Sequence, residues 1–184
     1  MRVLAGFALL LLGVLTAAAD PCKSGLALNQ RPGPYSSLVS VGPQRGQQHC
    51  FICEAGERPT VIVFARSLSE PLGKLVKQID GSVKEHKAAE LRAWVTFLGD
   101  DQTALDPKVV QWAQKHAIST VPCAVFEDTV GPPAYLLARD ADVTVLLSVK
   151  QKVVANFAFR AGELNDDAIR TIIKSVPNLL GAKK

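Results

Sequence analysis

Cys50-Phe51-Ile52-Cys53 is the segment whose residue types and spacing could carry chemistry. Two cysteines three apart can close a disulfide at a turn or helix start, and the same spacing can grip a metal ion. Four readings stay open from the residues alone. The pair is a structural disulfide closing a loop, an exchangeable redox dithiol, part of a metal site with His49, or two unpaired thiols. A closed zinc site wants four ligands, so it would have to recruit Cys22 or Cys123. Phe51 and Ile52 offer no charge to depress a thiol pKa, and the nearest cations are His49, Arg45 and Arg58.

The other candidate groups are weaker. Cys123 sits inside an apolar run and reads as a buried thiol acting as a small hydrophobe, although a contact with Cys50 or Cys53 stays open. Cys22 is expected free, paired, or a route to covalent dimers. His86 and His116 fall near helix ends and read as solvated residues or partners of the helix dipole. Trp94 and Trp112 read as core. Asp100-Asp101 reads as loop acids and Asp166-Asp167 as cap acids, neither with the partner that acid–base chemistry needs. Gly131-Pro132-Pro133 is a turn without phosphate-cradle spacing. No metal site and no cofactor are therefore expected.

These residues follow an export-like start. Arg2 supplies a positive region, Val3 to Leu15 an apolar stretch, and Ala17-Ala18-Ala19 a small-residue cleavage signal. Residues 1–19 are read as a signal peptide, leaving a soluble mature chain from Asp20, periplasmic or secreted, with no membrane association. An oxidising compartment permits disulfides, and four cysteines allow three full pairings. A chain of 184 residues is large enough not to need staples for stability. A net charge of +4, with its cations scattered, excludes a nucleic-acid patch.

The elements that must position the cysteines alternate. Residues 20–57 read as an extended lead-in carrying the Cys-x-x-Cys and one short strand at Ser37 to Val41. Thr60 to Ala65 is near-continuously apolar, as a parallel strand covered on both faces should be. Leu72, Leu75, Val76, Ile79 and Val83 then form a helical stripe, with Ser69 as cap and Pro71 in the first turn. A second strand spans Ala93 to Leu98, and Asp106-Pro107 reads as a helix start. Val121 to Phe126 is read as the third parallel strand, followed by a short helix through Leu137. Asp142 to Val149 and Lys152 to Phe159 form a hairpin, and the last helix opens at Asn165. The expected fold is α/β, a three-layer α/β/α sandwich with a mixed sheet, with residues 58–180 as its domain and 181–184 as a tail.

The buried strand Pro59-Thr-Val-Ile-Val-Phe, its helix, and the hairpin Val143-Thr-Val-Leu-Leu-Ser-Val-Lys-Gln-Lys-Val-Val-Ala resemble the thioredoxin-like superfamily, in its redoxin and peroxiredoxin branch. Pro32-Gly-Pro, Cys50-Phe-Ile-Cys53, Val63-Phe-Ala-Arg66 and Gly131-Pro-Pro-Ala-Tyr135 are similar to exported thioredoxin-fold proteins of environmental bacteria. The resemblance implies a reactive cysteine just after the first core strand, where a helix N-terminus and nearby cations lower its pKa. Here Ser67 and Ser69 occupy that joint, and a serine hydroxyl cannot cycle through a disulfide. The family site is therefore degenerate. It also implies a cis-proline before a strand facing the site, and Thr120-Val121-Pro122-Cys123 looks like that element. That register strands Thr129 to Asp142 as a long insertion, so the preferred one counts Val121 to Phe126 as the third parallel strand and lets Asp140-Ala-Asp142 replace the proline. Because Thr60 begins its strand, the cysteine loop is expected at the N-terminal edge of the sheet, opposite the usual ligand edge. The function expected is a redox-silent or weakly redox-active module, with its cysteines oxidised, that binds an unidentified protein partner. The alternative is a thiol–disulfide oxidoreductase using Cys50 and Cys53.

Overall fold

The computed structural model describes residues 20–181. The expected signal segment at residues 1–19 and the last three residues of the tail lie outside them.

Seven strands form one mixed sheet in the order β2-β1-β5-β4-β3-β6-β7. They are β1 (Ser37–Val41), β2 (Gln48–His49), β3 (Thr60–Ala65), β4 (Arg92–Leu98), β5 (Cys123–Phe126), β6 (Val143–Val149) and β7 (Lys152–Phe159). β3, β4 and β5 run parallel, while β6 pairs antiparallel with β3 and β7 with β6. Every residue of β3 is buried, which is why it reads as one unbroken apolar run. Val61, Val63 and Ala65 face one side, and Ile62 and Phe64 the other. The expected register of the third parallel strand stands: Val95 pairs with Cys123 and Leu98 with Phe126.

Helices α2 (Glu70–Glu85), α3 (Gln102–Lys115) and α4 (Asp166–Ser175) cover one face. The crossovers β3–α2–β4 and β4–α3–β5 step across the sheet in the same direction, so right-handedness lands both helices on the same side. The other layer is α1 (Phe51–Ala55), the single turn at Pro133–Tyr135 and the lead-in, which buries Leu26 and Tyr35. The lead-in is bound along the far edge strand: Asn29 N–H donates to Val153 O (2.8 Å) and Val153 N–H to Gln30 O (2.9 Å). A short helix α5 (Pro177–Leu180) ends the chain's described part.

Two local expectations are corrected. α3 begins at Gln102 rather than at Asp106-Pro107. Asp101 is its cap, accepting the Ala104 N–H at 2.9 Å, and Pro107 lies inside the helix. The residue whose carbonyl Pro107 leaves without a donor, Thr103, is exposed, so water can serve it. His116 stands at the C-terminal end of α3, as expected, but is not solvated. Its side chain is 8% exposed, packed on Trp112 with ring centroids 5.1 Å apart, and it lies 3.8 Å from Glu70. Gly73 makes room for it, since a Cβ there would stand 2.3 Å from the imidazole.

Asp80 is the one fully buried carboxylate among the described residues. It accepts from the backbone N–H groups of Ser119, Thr120 and Val121 and from Lys84 Nζ at 2.7 Å, fixing the approach to β5. Burial would push its carboxyl up, but Lys84 and the three backbone donors outweigh that and hold it down at about 2. A carboxyl whose pKa is lowered by folding stabilises the protein above its unfolded pKa, and that contribution fades as pH falls toward the folded value. Asp80→Asn is therefore expected to cost about 2–3 kcal/mol at pH 7 and to flatten the stability loss between about pH 4 and pH 2, measured by urea unfolding across that range.

Candidate functional site

At the C-terminal edge of β3 the expected family site is closed by hydrogen bonds. Ser67 Oγ donates to Asp142 Oδ2 at 2.7 Å, and Ser69 Oγ caps α2 through the Leu72 N–H at 3.4 Å. Arg66 donates to Ala141 O (2.9 Å) and Ala138 O (3.0 Å), and its own N–H bonds Asp142 O (2.9 Å). Asp142 thus stands where the resemblance places a proline, and no peptide bond among the described residues is cis, Pro122 included. Ser67 and Ser69, which the sequence placed at this joint, are both hydrogen-bonded within their own chain.

The cysteine pair lies at the opposite edge. Cys50 and Cys53 form a disulfide with Cα atoms 5.3 Å apart. Cys50 is the N-cap of α1, and its Sγ accepts the Cys53 N–H at 3.3 Å. Phe51, Ile52 and Ala55 are buried, with Phe51 stacked on Trp94 at a centroid separation of 5.7 Å and 23° between planes. Pinning the two intervening residues to the core turns Cys53 outward, and it is exposed while Cys50 is half-buried. Cys53 opens on a cleft of about 450 Å³ lined by Arg31, Pro32, Gly33, Pro34, Ile52, Gly56 and Gln151. Gln151 belongs to the β6–β7 turn beyond the start of β3, which puts the cleft at the N-terminal edge, as the sequence implied.

The walls of this cleft are set from the aromatic layer. Trp94 Nε1–H donates to Tyr35 Oη at 2.8 Å, and Tyr35 Oη meets Thr96 Oγ1 at 2.8 Å. Tyr135 Oη–H donates to Gly33 O at 2.9 Å. On its outer flank His49 pairs with Glu54 (Nε2 to Oε2, 2.8 Å) and lies edge-on to Phe51, with centroids 4.8 Å apart.

The remaining cysteines are free and apart. Cys123 is fully buried in β5; burial, with Asp80 adding to it, pushes its thiol up to about 12. Cys22 is half-buried beside Leu136, Asn156 and Ala158, and burial raises its pKa against the pull of Arg160. Neither pairs with Cys50 or Cys53. Among the described residues no group of three or more His, Cys, Asp or Glu could hold a metal ion, and no helix is long and apolar enough to cross a membrane.

The chain is similar to many solved structures. A conserved protein of uncharacterized function from Geobacillus kaustophilus superposes with a TM-score of 0.64 at 15% identity, covering 90% of this chain and 89% of that one. The thioredoxin domain of a thiol-disulfide oxidoreductase from Bacteroides vulgatus superposes with 0.59 at 15% identity, covering 82% and 99%. This chain has the thioredoxin-like fold. Another of these thioredoxin-fold neighbours, the peroxidoxin BcpB of Mycobacterium tuberculosis, matches at 0.60 and 12% identity over 85% and 98%. No protein-family model matches the sequence, and no curated protein sequence matches it.

Sequence reasoning missed Arg31, Gln151 and α1 as parts of this thioredoxin-fold protein's site. Only the Pro32-Gly33-Pro34 stiffness hinted that the lead-in builds a wall. Two measurements check the arrangement. Under native conditions at pH 8 an alkylating reagent should label Cys22 slowly and Cys123 not at all, with Cys123 labelled only after denaturation, as counted by mass spectrometry. The bridge closes so short a loop that reducing it should cost only about 2 kcal/mol of stability and leave the far-UV spectrum unchanged.

Proposed function

We propose that this protein is exported and that its Cys50–Cys53 disulfide exchanges with substrate thiols. The observation that carries the reading is a disulfide whose exposed Cys53 lines a cleft and whose helix is anchored by Phe51, Ile52 and Ala55. A bridge that adds little to stability is weakly explained as a staple. An incoming thiolate attacks Cys53 Sγ, and the S–S bond breaks to release Cys50 as thiolate. The Cys53 N–H already aimed at Cys50 Sγ stabilises that leaving group. A second substrate thiolate then attacks the mixed disulfide and releases Cys53, so two electrons pass from two thiols to the protein as they join in a disulfide. The signal-like residues 1–19 and a disulfide needing an oxidising compartment support export. The thiol-disulfide oxidoreductase domain among the structural neighbours is consistent with the chemistry.

The second reading is a redox-silent module that binds a protein partner with its disulfide fixed. The closed Ser67–Asp142 edge and the Glu54 carboxylate one residue from Cys53 favour it. A glutathione-buffer titration with mass-spectrometric thiol counting separates the two. Exchange predicts a two-electron couple above about −250 mV that Cys50→Ser abolishes, whereas a bond resisting reduction below about −300 mV leaves the binding role.

A further inference from the structure

The cleft beside Cys53 has a chemical character of its own. Its lining contains one cation, Arg31, and no Asp or Glu. Arg31 makes no side-chain hydrogen bond or ion pair among the described residues, and it is exposed. In the same lining Gln151 brings an amide that can both donate and accept, held there by a two-residue hairpin turn in which Lys150 and Gln151 both take positive φ (51° and 59°). Gly56 leaves the floor open, since a Cβ there would meet nothing within 4 Å. The wall is stiff: Pro32 is buried, and Gly33 is tied to Tyr135 and packed so closely that a Cβ would lie 2.9 Å from Ala134. At about 450 Å³ the space lies in the range of small-ligand pockets.

We propose that this cleft binds a low-molecular-weight thiol bearing a carboxylate, with the carboxylate on Arg31, a polar group on Gln151 and the sulfur at Cys53. The inference rests on the exchange reading above and names its substrate class. Two molecules of such a thiol reduce the protein: the first forms a mixed disulfide at Cys53 and expels Cys50 as thiolate, and the second displaces Cys53 and leaves as the small-molecule disulfide. Arg31 touches no reacting atom and acts by holding the substrate, so its effect falls on binding and not on the potential of the cysteine pair.

The test uses the chain from Asp20, oxidised, with N-acetylcysteine and its uncharged amide N-acetylcysteinamide as reductants and dithiothreitol as reference. Rates of Cys50–Cys53 reduction are followed for the native protein, Arg31→Gln and Arg31→Glu. For N-acetylcysteine the second-order rate should fall roughly five- to tenfold in Arg31→Glu, with a smaller loss in Arg31→Gln. The amide and dithiothreitol rates should stay unchanged, and about 1 M salt should erase the difference. Comparing variants within one reductant cancels any difference in thiol pKa between probes. Equal losses with both N-acetyl compounds, or none with either, overturn the proposal. So does faster reduction by an unfolded protein thiol that is indifferent to Arg31, which assigns the cleft to polypeptides. A disulfide that dithiothreitol cannot open defeats the exchange reading itself and is thereby distinguished from failure of the substrate assignment.

Discussion

The site depends on one buried aromatic layer beneath the sheet. Trp94, fixed at the start of β4, gives its face to Phe51 and its indole N–H to Tyr35 Oη, which meets Thr96 in turn. These contacts bind both the short cysteine helix and the lead-in to the same strand. Phe64, Tyr35 and Tyr135 complete the layer with centroid separations of 4.8 to 5.6 Å. The three hydroxyl and indole groups are buried yet all hydrogen-bonded, so the layer specifies one arrangement instead of a loose apolar contact. Cys53 faces outward because the residues beside it face inward.

The two edges of the sheet have taken opposite roles. At the edge where open α/β sheets ordinarily bind ligands, backbone carbonyls, Arg66 and the Ser67–Asp142 pair satisfy one another. At the other edge the lead-in supplies what the parallel strands do not, namely a proline-walled cleft, a cation with no side-chain partner among the described residues, and a disulfide. The charge that organises the interior lies at the approach to β5, outside the lining of the cleft. Asp80 braces α2 against the approach to β5, and its charge adds to burial in raising the Cys123 thiol pKa.

Local signals in the chain were enough for the large elements. The unbroken apolar run of β3, the stripe of α2 with its Ser69 cap, the Lys150-Gln151 hairpin and the Asn165 start of α4 each follow from short-range physics that tertiary packing then reinforced. The start of α3 did not, because Asp106-Pro107 is a stronger local start than Asp101, and only the exposed position of Thr103 makes an internal proline tolerable. α1 was invisible for a different reason. Five residues show no periodicity, and its cap is a cysteine sulfur in place of the usual oxygen.

By itself the sequence determined the α/β order, the absence of a cysteine from the Ser67 joint and the edge on which the cysteines lie, since strand direction and residue type settle these without any contact being known. Only the tertiary structure decided that Cys50 and Cys53 are bonded to each other, that Cys22 and Cys123 stay apart from them, and that Arg31 and Gln151 share the cleft with Cys53. The last of these rests on residues 120 positions apart, Arg31 and Gln151, brought together by the lead-in and the hairpin turn. Pairing at that range leaves no trace in local spacing.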